Sequence, residues 1–232
     1  YTLVSGSVYT HRYVDYYTTV SEKLNEKEGD NYFRIKDYSK AMTANVSFTC
    51  NSNSYEFFTS MMDSDNYVLG SLFGYTRTSN SLYSKGGSYF GDCFLNYKYF
   101  YVDANDKKAV EENLYKDGKG YLKAVVDADT DKPMHVGRFY VYENLYTFPL
   151  AFTVKGTMDS WAEMPDQTTG EMRLPQSLDD VAYSKARQQN ALYNYLNGQI
   201  YHTGTKAVTT DDVIALYEKL NTRSASKVSV SA

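Results

Sequence analysis

The stretch that decides the fold is Lys98-Tyr-Phe-Tyr-Val102, where a lysine precedes three aromatic residues and a valine. Aromatic and β-branched side chains favour strands. A strand whose large apolar side chains follow one another without polar alternation is typical of a sheet covered on both faces, as parallel and mixed sheets are. The run therefore predicts a buried strand of a parallel or mixed sheet.

Strand and helix patterns alternate on both sides of this stretch. Further strands are predicted at 32–35, 45–50, 121–126, 138–142 and 150–154. Helices are predicted at 13–28, 53–62, 67–73, 107–115 (with Asp106 as its cap), 180–197 and 209–220, with a short helical turn at 91–95. Residues 76–91, rich in Ser, Gly and Asn, are predicted to form an exposed loop. This alternation predicts an α/β or α+β fold, a mixed sheet with helices packed on it.

Length and composition are those of a folded domain. We predict a single domain over 1–232, with a candidate sub-boundary in the loop at 155–178. The formal net charge is only -4, and no basic stripe of the kind that binds nucleic acid is present. The chain contains no apolar run of about 18 residues, so we expect no transmembrane segment within it. Both ends read as mid-protein sequence, so we expect this chain to be a piece of a longer protein.

Motifs for metal binding and catalysis are weak. Asp63 and Asp65 form an acid-x-acid pattern like those that hold a divalent metal in sugar transferases, but a turn at the end of a helix is favoured. The alternating aspartates of 127–131 lack the glycine and the distal glutamate of a calcium loop, so a solvated hairpin turn is favoured. Cys50 and Cys93 form either one disulfide or two buried free thiols. We expect no catalytic residue, no metal site and no cofactor.

Candidate ligand-binding residues lie on strands and on the long loop. Arg34 lies among aromatic residues of a predicted strand and could bind an anion. Tyr142, Glu143 and Asn144 end another predicted strand, where sites of α/β sheets tend to lie. An ion pair between Arg34 and Glu143 is the favoured structural alternative to ligand binding. Trp161, the single tryptophan, lies in the loop at 155–178.

Tyrosine is the outlier of the composition, with 25 of 232 residues. Its ring is large and apolar and its hydroxyl is polar, so it suits half-buried strands, wet interfaces and stacking on sugar rings. A structural role is favoured for any single tyrosine. A carbohydrate-binding module built on the tyrosines and Trp161 remains an alternative function, as does a structural or protein-interaction domain.

Several short motifs recur in a characteristic order and spacing. They are Phe33-Arg-Ile35, Ser52-Asn-Ser-Tyr-Glu-Phe57, Asp92-Cys-Phe-Leu-Asn-Tyr-Lys-Tyr-Phe100, Tyr142-Glu-Asn144 with Phe148-Pro-Leu-Ala-Phe152, and Gln189-Asn-Ala-Leu-Tyr193. Together they resemble the extracytoplasmic region of the YfhO family of bacterial membrane proteins. Ala151 stands where a glycine is usual, and Cys93-Phe94 replace the more ordinary Ser-Leu.

The resemblance implies a polytopic membrane protein similar to C-type glycosyltransferases, which use a polyprenyl-phosphate sugar as donor. In that class the catalytic acid lies in a loop close to the membrane, outside the present chain. This chain would then be a non-catalytic accessory region on the extracytoplasmic face, positioning an acceptor such as teichoic acid. Its expected partners are the transmembrane portion of the same protein and an envelope glycan or a lipid-linked sugar, with no nucleic acid.

Overall fold

The computed structural model describes residues 14–38, 46–58, 69–70, 72–77, 81–114, 121–152, 164–165, 172–173, 189, 192–193, 196 and 208–221. The chain divides into two compact units. Unit 1 comprises Tyr1–Ser60, Thr78–Lys85 and Tyr97–Leu145, and unit 2 comprises Met61–Arg77, Gly86–Asn96 and Tyr146–Ala232. Most of the loop at 155–178 lies outside the described residues, so the sub-boundary placed there stays a prediction.

The helices and strands are numbered in chain order. The helices are α1 (Asp15–Glu28), α2 (Val46–Thr49), α3 (Tyr89–Phe94), α4 (Ala104–Leu114) and α5 (Thr210–Asn221). The strands are β1 (Arg34–Asp37), β2 (Phe57–Phe58), β3 (Tyr75–Arg77), β4 (Ser81–Gly86), β5 (Tyr97–Asp103), β6 (Leu122–Ala124), β7 (Val126–Asp127), β8 (Lys132–Pro133), β9 (His135–Val136), β10 (Phe139–Asn144), β11 (Met164–Pro165) and β12 (Met172–Arg173). Helical conformation is also found at Leu69, Gly70, Leu72, Gln189, Leu192, Tyr193 and Leu196.

Unit 1 is built on a five-stranded mixed sheet in the order β1-β5-β10-β6, with β9 also paired to β10. Strand β1 is parallel to β5, whereas β5, β6 and β9 all run antiparallel to β10. The run that begins at Lys98 forms the inner strand β5, and Tyr99, Tyr101 and Val102 are fully buried there. The predicted mixed sheet with packed helices is confirmed, as an α+β arrangement.

Helix α1 covers one face of this sheet. Tyr17, Val20 and Leu24 recur at helical spacing and are fully buried. The Tyr17 ring meets the Tyr101 ring edge-on, with 5.0 Å between centroids, and Tyr101 stacks on Phe139 at 4.6 Å. Burial of each such side chain contributes about 1.5–3 kcal/mol. The side chains packed between α1 and the sheet therefore form the main apolar core of unit 1.

The start of helix α4 differs from the prediction. The helix begins at Ala104 rather than at 107, because Asp103 acts as its cap and accepts a hydrogen bond from the Asn105 backbone N–H at 2.8 Å. The same Asp103 oxygen accepts from Arg138 at 2.6 Å. Within the helix, the Lys107 ammonium lies 4.2 Å from the centroid of the Tyr140 ring on β10. These contacts hold α4 against the sheet.

Three local predictions were wrong. Residues 46–49 form helix α2 instead of a strand, although Val46, Phe48 and Cys50 alternate with polar residues. Phe48 is 77% exposed, so this alternation does not match a buried sheet face. Phe57–Phe58 form strand β2 instead of continuing a helix, since they pair antiparallel with β4. Ser81–Gly86 form β4 within the region predicted as a loop, because this segment pairs with β2 and the Ser84 hydroxyl donates to the buried Glu56.

Unit 2 has an aromatic core around helix α3. The Phe90 ring lies 5.8 Å from that of Phe73, 6.1 Å from Phe148 and 6.3 Å from Tyr193, measured between centroids. Helix α5 begins at a capping box, in which the Thr209 hydroxyl accepts from the Asp212 N–H at 3.2 Å and the Asp212 carboxylate accepts from the Thr209 N–H at 2.9 Å. The predicted helices at 91–95 and 209–220 are thereby confirmed.

Gly91 sets the distance between α3 and Phe73. A β-carbon at Gly91 would lie 2.6 Å from the Phe73 β-carbon, closer than packed carbons come. We expect Gly91→Ala to lower the free energy of unfolding by about 1–3 kcal/mol through overpacking, measured by urea denaturation. Leu150→Ala, at a side chain that is 61% exposed, is the control and should change stability by less than about 0.5 kcal/mol. Equal effects of the two variants would contradict this packing.

Candidate functional site

A charged groove lies on unit 1 between helix α1 and the β7–β8 hairpin. Its volume is about 360 Å³. The residues that line it are Lys23, Glu26, Lys27, Val126, Asp127, Ala128, Asp129 and Met134. Lys23 and Lys27 are four residues apart on α1 and so share one side of the helix. The lining therefore combines charged side chains with three apolar ones, those of Val126, Ala128 and Met134.

The hairpin presents its carboxylates to the first lysine of the groove. The Asp127 side chain accepts from the Asp129 N–H at 2.9 Å, an Asx-type contact that fixes the turn. Lys23 Nζ then donates to Asp127 Oδ2 at 2.9 Å and to Asp129 Oδ2 at 2.8 Å. Hydrogen bonds to Asp129 and Asp127 raise the pKa of Lys23, and the bond from Lys23 lowers the pKa of Asp127. The predicted hairpin turn is confirmed, and its acids bind a lysine.

The second lysine belongs to a chain of hydrogen bonds on the same face of unit 1. Lys27 Nζ donates to the Tyr99 hydroxyl at 3.1 Å and to Glu143 Oε2 at 3.0 Å. The Tyr99 hydroxyl donates to Glu28 Oε1 in a short bond, and Lys98 Nζ donates to Glu28 Oε2 at 2.7 Å. We call this chain the Glu28–Tyr99 relay. It ties α1 to β5 and β10.

Protonation states follow from these contacts. Burial alone would raise the pKa of Glu28, but the hydrogen bonds from Lys98 and Tyr99 outweigh it and lower that pKa. Burial and the bond to Glu28 raise the pKa of Tyr99 strongly. At neutral pH the relay thus contains an ionised carboxylate and a neutral phenol, which is the arrangement of a structural clamp.

A second polar cluster lies in the interior of unit 1. The Glu56 side chain is 5% exposed, and its Oε2 accepts from the Ser84 hydroxyl at 2.8 Å and from the Ser84 N–H at 3.2 Å. Among the described residues, Glu56 Oε1 and the hydroxyls of Tyr17 and Tyr101 are buried without a hydrogen-bond partner. Burial raises the pKa of Glu56. We call this set the buried Glu56 cluster, and its environment favours the neutral carboxyl.

The electrostatic effect of this cluster extends to Tyr17. The pKa of Tyr17 is raised first by complete burial and then by its electrostatic interactions with the Glu56 and Asp37 carboxyl groups. The Ser52 hydroxyl adjoins the phenol and eases this shift, although the two groups do not meet in hydrogen-bond geometry. Burial also raises the pKa of Tyr101, so the phenols of Tyr17 and Tyr101 are both neutral across the physiological range.

The residues predicted from sequence to bind a ligand are distributed differently. Glu143 joins the Glu28–Tyr99 relay and pairs with Lys27, so it does not form the predicted ion pair with Arg34. The Arg34 guanidinium lies 5.4 Å from the centroid of the Tyr32 ring. Tyr142 and Asn144 are buried, and the Asn144 amide donates to the Tyr97 carbonyl oxygen at 3.2 Å. Trp161 lies outside the described residues, as do Asp63 and Asp65, and ligand binding at all these positions stays a prediction.

Sequence reasoning missed the lysines of the groove and their partner Tyr99. Lys23 and Lys27 read as the solvent-facing side of an amphipathic helix, and Tyr99 read as core. The lysine spacing on α1 and the acid-rich turn at 127–131 are visible in the sequence, but their proximity is not. Cys50 and Cys93 are both buried free thiols.

Comparisons of the chain with protein-family models, with curated proteins and with solved structures find no match. Among the described residues, no helix is long and apolar enough to cross a lipid bilayer. In the same part of the chain, no three His, Cys, Asp or Glu side chains come together in an arrangement that could hold a metal ion.

Removal of the hydroxyl should have opposite effects on stability at Tyr99 and at Tyr17. Tyr99→Phe removes a hydroxyl bonded to two charged side chains, and we expect unfolding to become easier by about 1.5–3 kcal/mol. Tyr17→Phe removes a buried hydroxyl that has no hydrogen-bond partner among the described residues, and stability should be unchanged or higher. Urea denaturation of both variants measures the difference. A loss at Tyr17 as large as that at Tyr99 would contradict the assignment of the bonded hydroxyl.

The buried Glu56 cluster predicts a specific pH dependence. Because the folded state raises the Glu56 pKa, this carboxyl contributes most below its ordinary pKa, and the contribution is lost as pH rises through the folded value. Glu56→Gln keeps an oxygen for Ser84 and removes the titration. We expect the variant to gain stability relative to the unchanged chain as the pH rises above the ordinary glutamate pKa of about 4, measured by urea denaturation at each pH. Glu22→Gln, at an exposed position, is the control. If the unfolding free energies of Glu56→Gln and of the unchanged chain depended on pH in the same way, a buried neutral Glu56 would be refuted.

Proposed function

We propose that this chain is an accessory, substrate-positioning region of a polytopic membrane glycosyltransferase-like protein that acts on the bacterial cell envelope. The proposal places the chain on the extracytoplasmic face of the membrane, with a polyprenyl-phosphate sugar as donor for the whole protein. Its basis is the order and spacing of the motifs that resemble the YfhO family, from Phe33-Arg-Ile35 to Gln189-Asn-Ala-Leu-Tyr193.

The observation that carries the positioning role is the charged groove. Its lining offers ammonium donors and carboxylate acceptors around a volume of about 360 Å³, and it also includes apolar side chains. Sugar rings have both hydroxyl edges and apolar C–H faces, so a surface with this mixture of groups is suited to a segment of glycan. Val126 is 50% exposed, so part of this apolar lining is accessible.

The groups of the groove fit binding better than chemistry. Lys23 forms ion pairs with two aspartates, and Lys27 donates to Glu143 and Tyr99, so both ammonium groups are already engaged as hydrogen-bond donors. A general base needs a pKa near the working pH, and the pKa shifts of Lys23 and Asp127 move both groups further from neutrality. We therefore assign the reaction centre to another part of the parent protein.

The test uses the full-length parent in cells. Deletion of its gene should remove a sugar modification from the envelope, and the unchanged gene should restore it, as measured by compositional analysis of purified envelope polymers. Val126→Trp fills the groove without changing its charges, and we expect it to restore about a tenth or less of the modification, a change equivalent to about 1.4 kcal/mol.

Leu145→Trp is the matched control, since Leu145 is 40% exposed on unit 1 and does not line the groove. This variant should restore the modification fully at equal protein abundance. Envelope sugars that are identical with and without the gene would refute the glycosylation role. Full restoration by Val126→Trp would refute the role of the groove.

A further inference from the structure

We infer that the groove binds a glycan segment by accepting hydrogen bonds from the glycan's own donors, which are hydroxyl groups and above all an ammonium group. The groove would disfavour polymers that bear phosphate or carboxylate groups. This inference rests on the proposed function for the ligand being a glycan. The preference for a ligand that donates hydrogen bonds is argued from the charges and hydrogen bonds of the residues that line the groove.

The two ammonium groups of the groove are already engaged. Lys23 Nζ donates to two carboxylates, and Lys27 Nζ donates to a carboxylate and a phenol. An ammonium group has three donors, so each lysine retains a single N–H for a ligand. To form a salt bridge with either lysine, an anionic ligand would have to displace Asp127 and Asp129 from Lys23 or Glu143 from Lys27.

The acceptors of the groove are less engaged than its donors. Within the described part of the chain, Glu26 forms no hydrogen bond or ion pair, and Asp129 uses only its Oδ2 for Lys23. Glu26 is exposed and sits one residue before Lys27 on α1. Ionised carboxylate oxygens only accept hydrogen bonds, so the oxygens of Glu26 and Asp129 that are not engaged within the described residues suit a ligand that donates hydrogen bonds.

The net charge of the groove leads to the same conclusion. Its lining carries the carboxylates of Glu26, Asp127 and Asp129 against the ammonium groups of Lys23 and Lys27, and so has one negative charge in excess. Like charges across a binding surface are unfavourable. A polyanion would be repelled, a neutral glycan tolerated and an amine-bearing glycan attracted.

The experiment is a titration of the 232-residue chain with three probes, followed by amide chemical shifts in NMR spectra. The probes are a chitosan hexasaccharide, which bears free amines, its fully N-acetylated counterpart, which is neutral, and polyglycerol phosphate, which is anionic. We expect chitosan to shift the amides of 23–27 and 126–129 and to bind about tenfold more tightly than polyglycerol phosphate. The neutral oligosaccharide should fall between them.

Variants assign the effect to the groove. Glu26→Gln and Asp129→Asn should each weaken chitosan binding by about two- to fivefold, the range for exposed ion pairs. Added salt should weaken chitosan binding in the unchanged chain because exposed charges are screened. Glu22→Gln is the matched control, since Glu22 is exposed on the same helix but does not line the groove, and it should bind chitosan as the unchanged chain does.

Each outcome separates this inference from the proposed function. Polyglycerol phosphate binding in the groove as tightly as chitosan would overturn the charge preference and leave a glycan-positioning role intact. No shift of the groove amides with any probe would overturn the inference, and the proposed function would then be decided by the envelope analysis in cells. Binding that is insensitive to Glu26→Gln and Asp129→Asn would also overturn it.

Discussion

The contact on which unit 1 depends is the packing of α1 against the aromatic face of β5 and β10. Tyr17 meets Tyr101 edge-on, and Tyr101 stacks on Phe139. Edge-on and offset contacts between aromatic rings add about 0.5–1.5 kcal/mol beyond the area they bury. This packing fixes the rotation of α1 about its axis, and that rotation determines where Lys23 and Lys27 point.

The groove is a consequence of that rotation. With Tyr17, Val20 and Leu24 against the sheet, the lysines lie at the border of the helix, where they reach the hairpin at 127–131 and the end of β10. Their ion pairs are partly exposed, and such pairs contribute little stability. These ion pairs are concentrated around one groove on the surface of unit 1.

The buried Glu56 cluster lies in the interior of unit 1 rather than at its surface. A carboxyl and two phenols are enclosed with polar atoms left without a partner among the described residues, which is unfavourable for folding. Ser84 offsets part of this penalty by donating both its hydroxyl and its backbone N–H to Glu56. The tyrosines of this region serve the core rather than a sugar-binding surface, because Tyr17, Tyr97, Tyr99 and Tyr101 are all fully buried.

The strand that begins near Lys98, helix α1 and the capped helix α5 were predictable from the sequence, because they depend on local periodicity and on cap residues within a few positions. The mixed sheet was inferred from the alternation of strand and helix patterns and from the unbroken apolar run at 99–102. Sequence reasoning misplaced α2, β2 and β4. For β2 and β4 the conformation depends on partners far along the chain, as the pairing of the two strands and the bond between Glu56 and Ser84 illustrate. Sequence reasoning also paired Glu143 with Arg34, although the fold places Lys27 beside Glu143. The groove was decided by tertiary structure alone, since its walls are separated by about a hundred residues and meet only when α1 packs on the sheet.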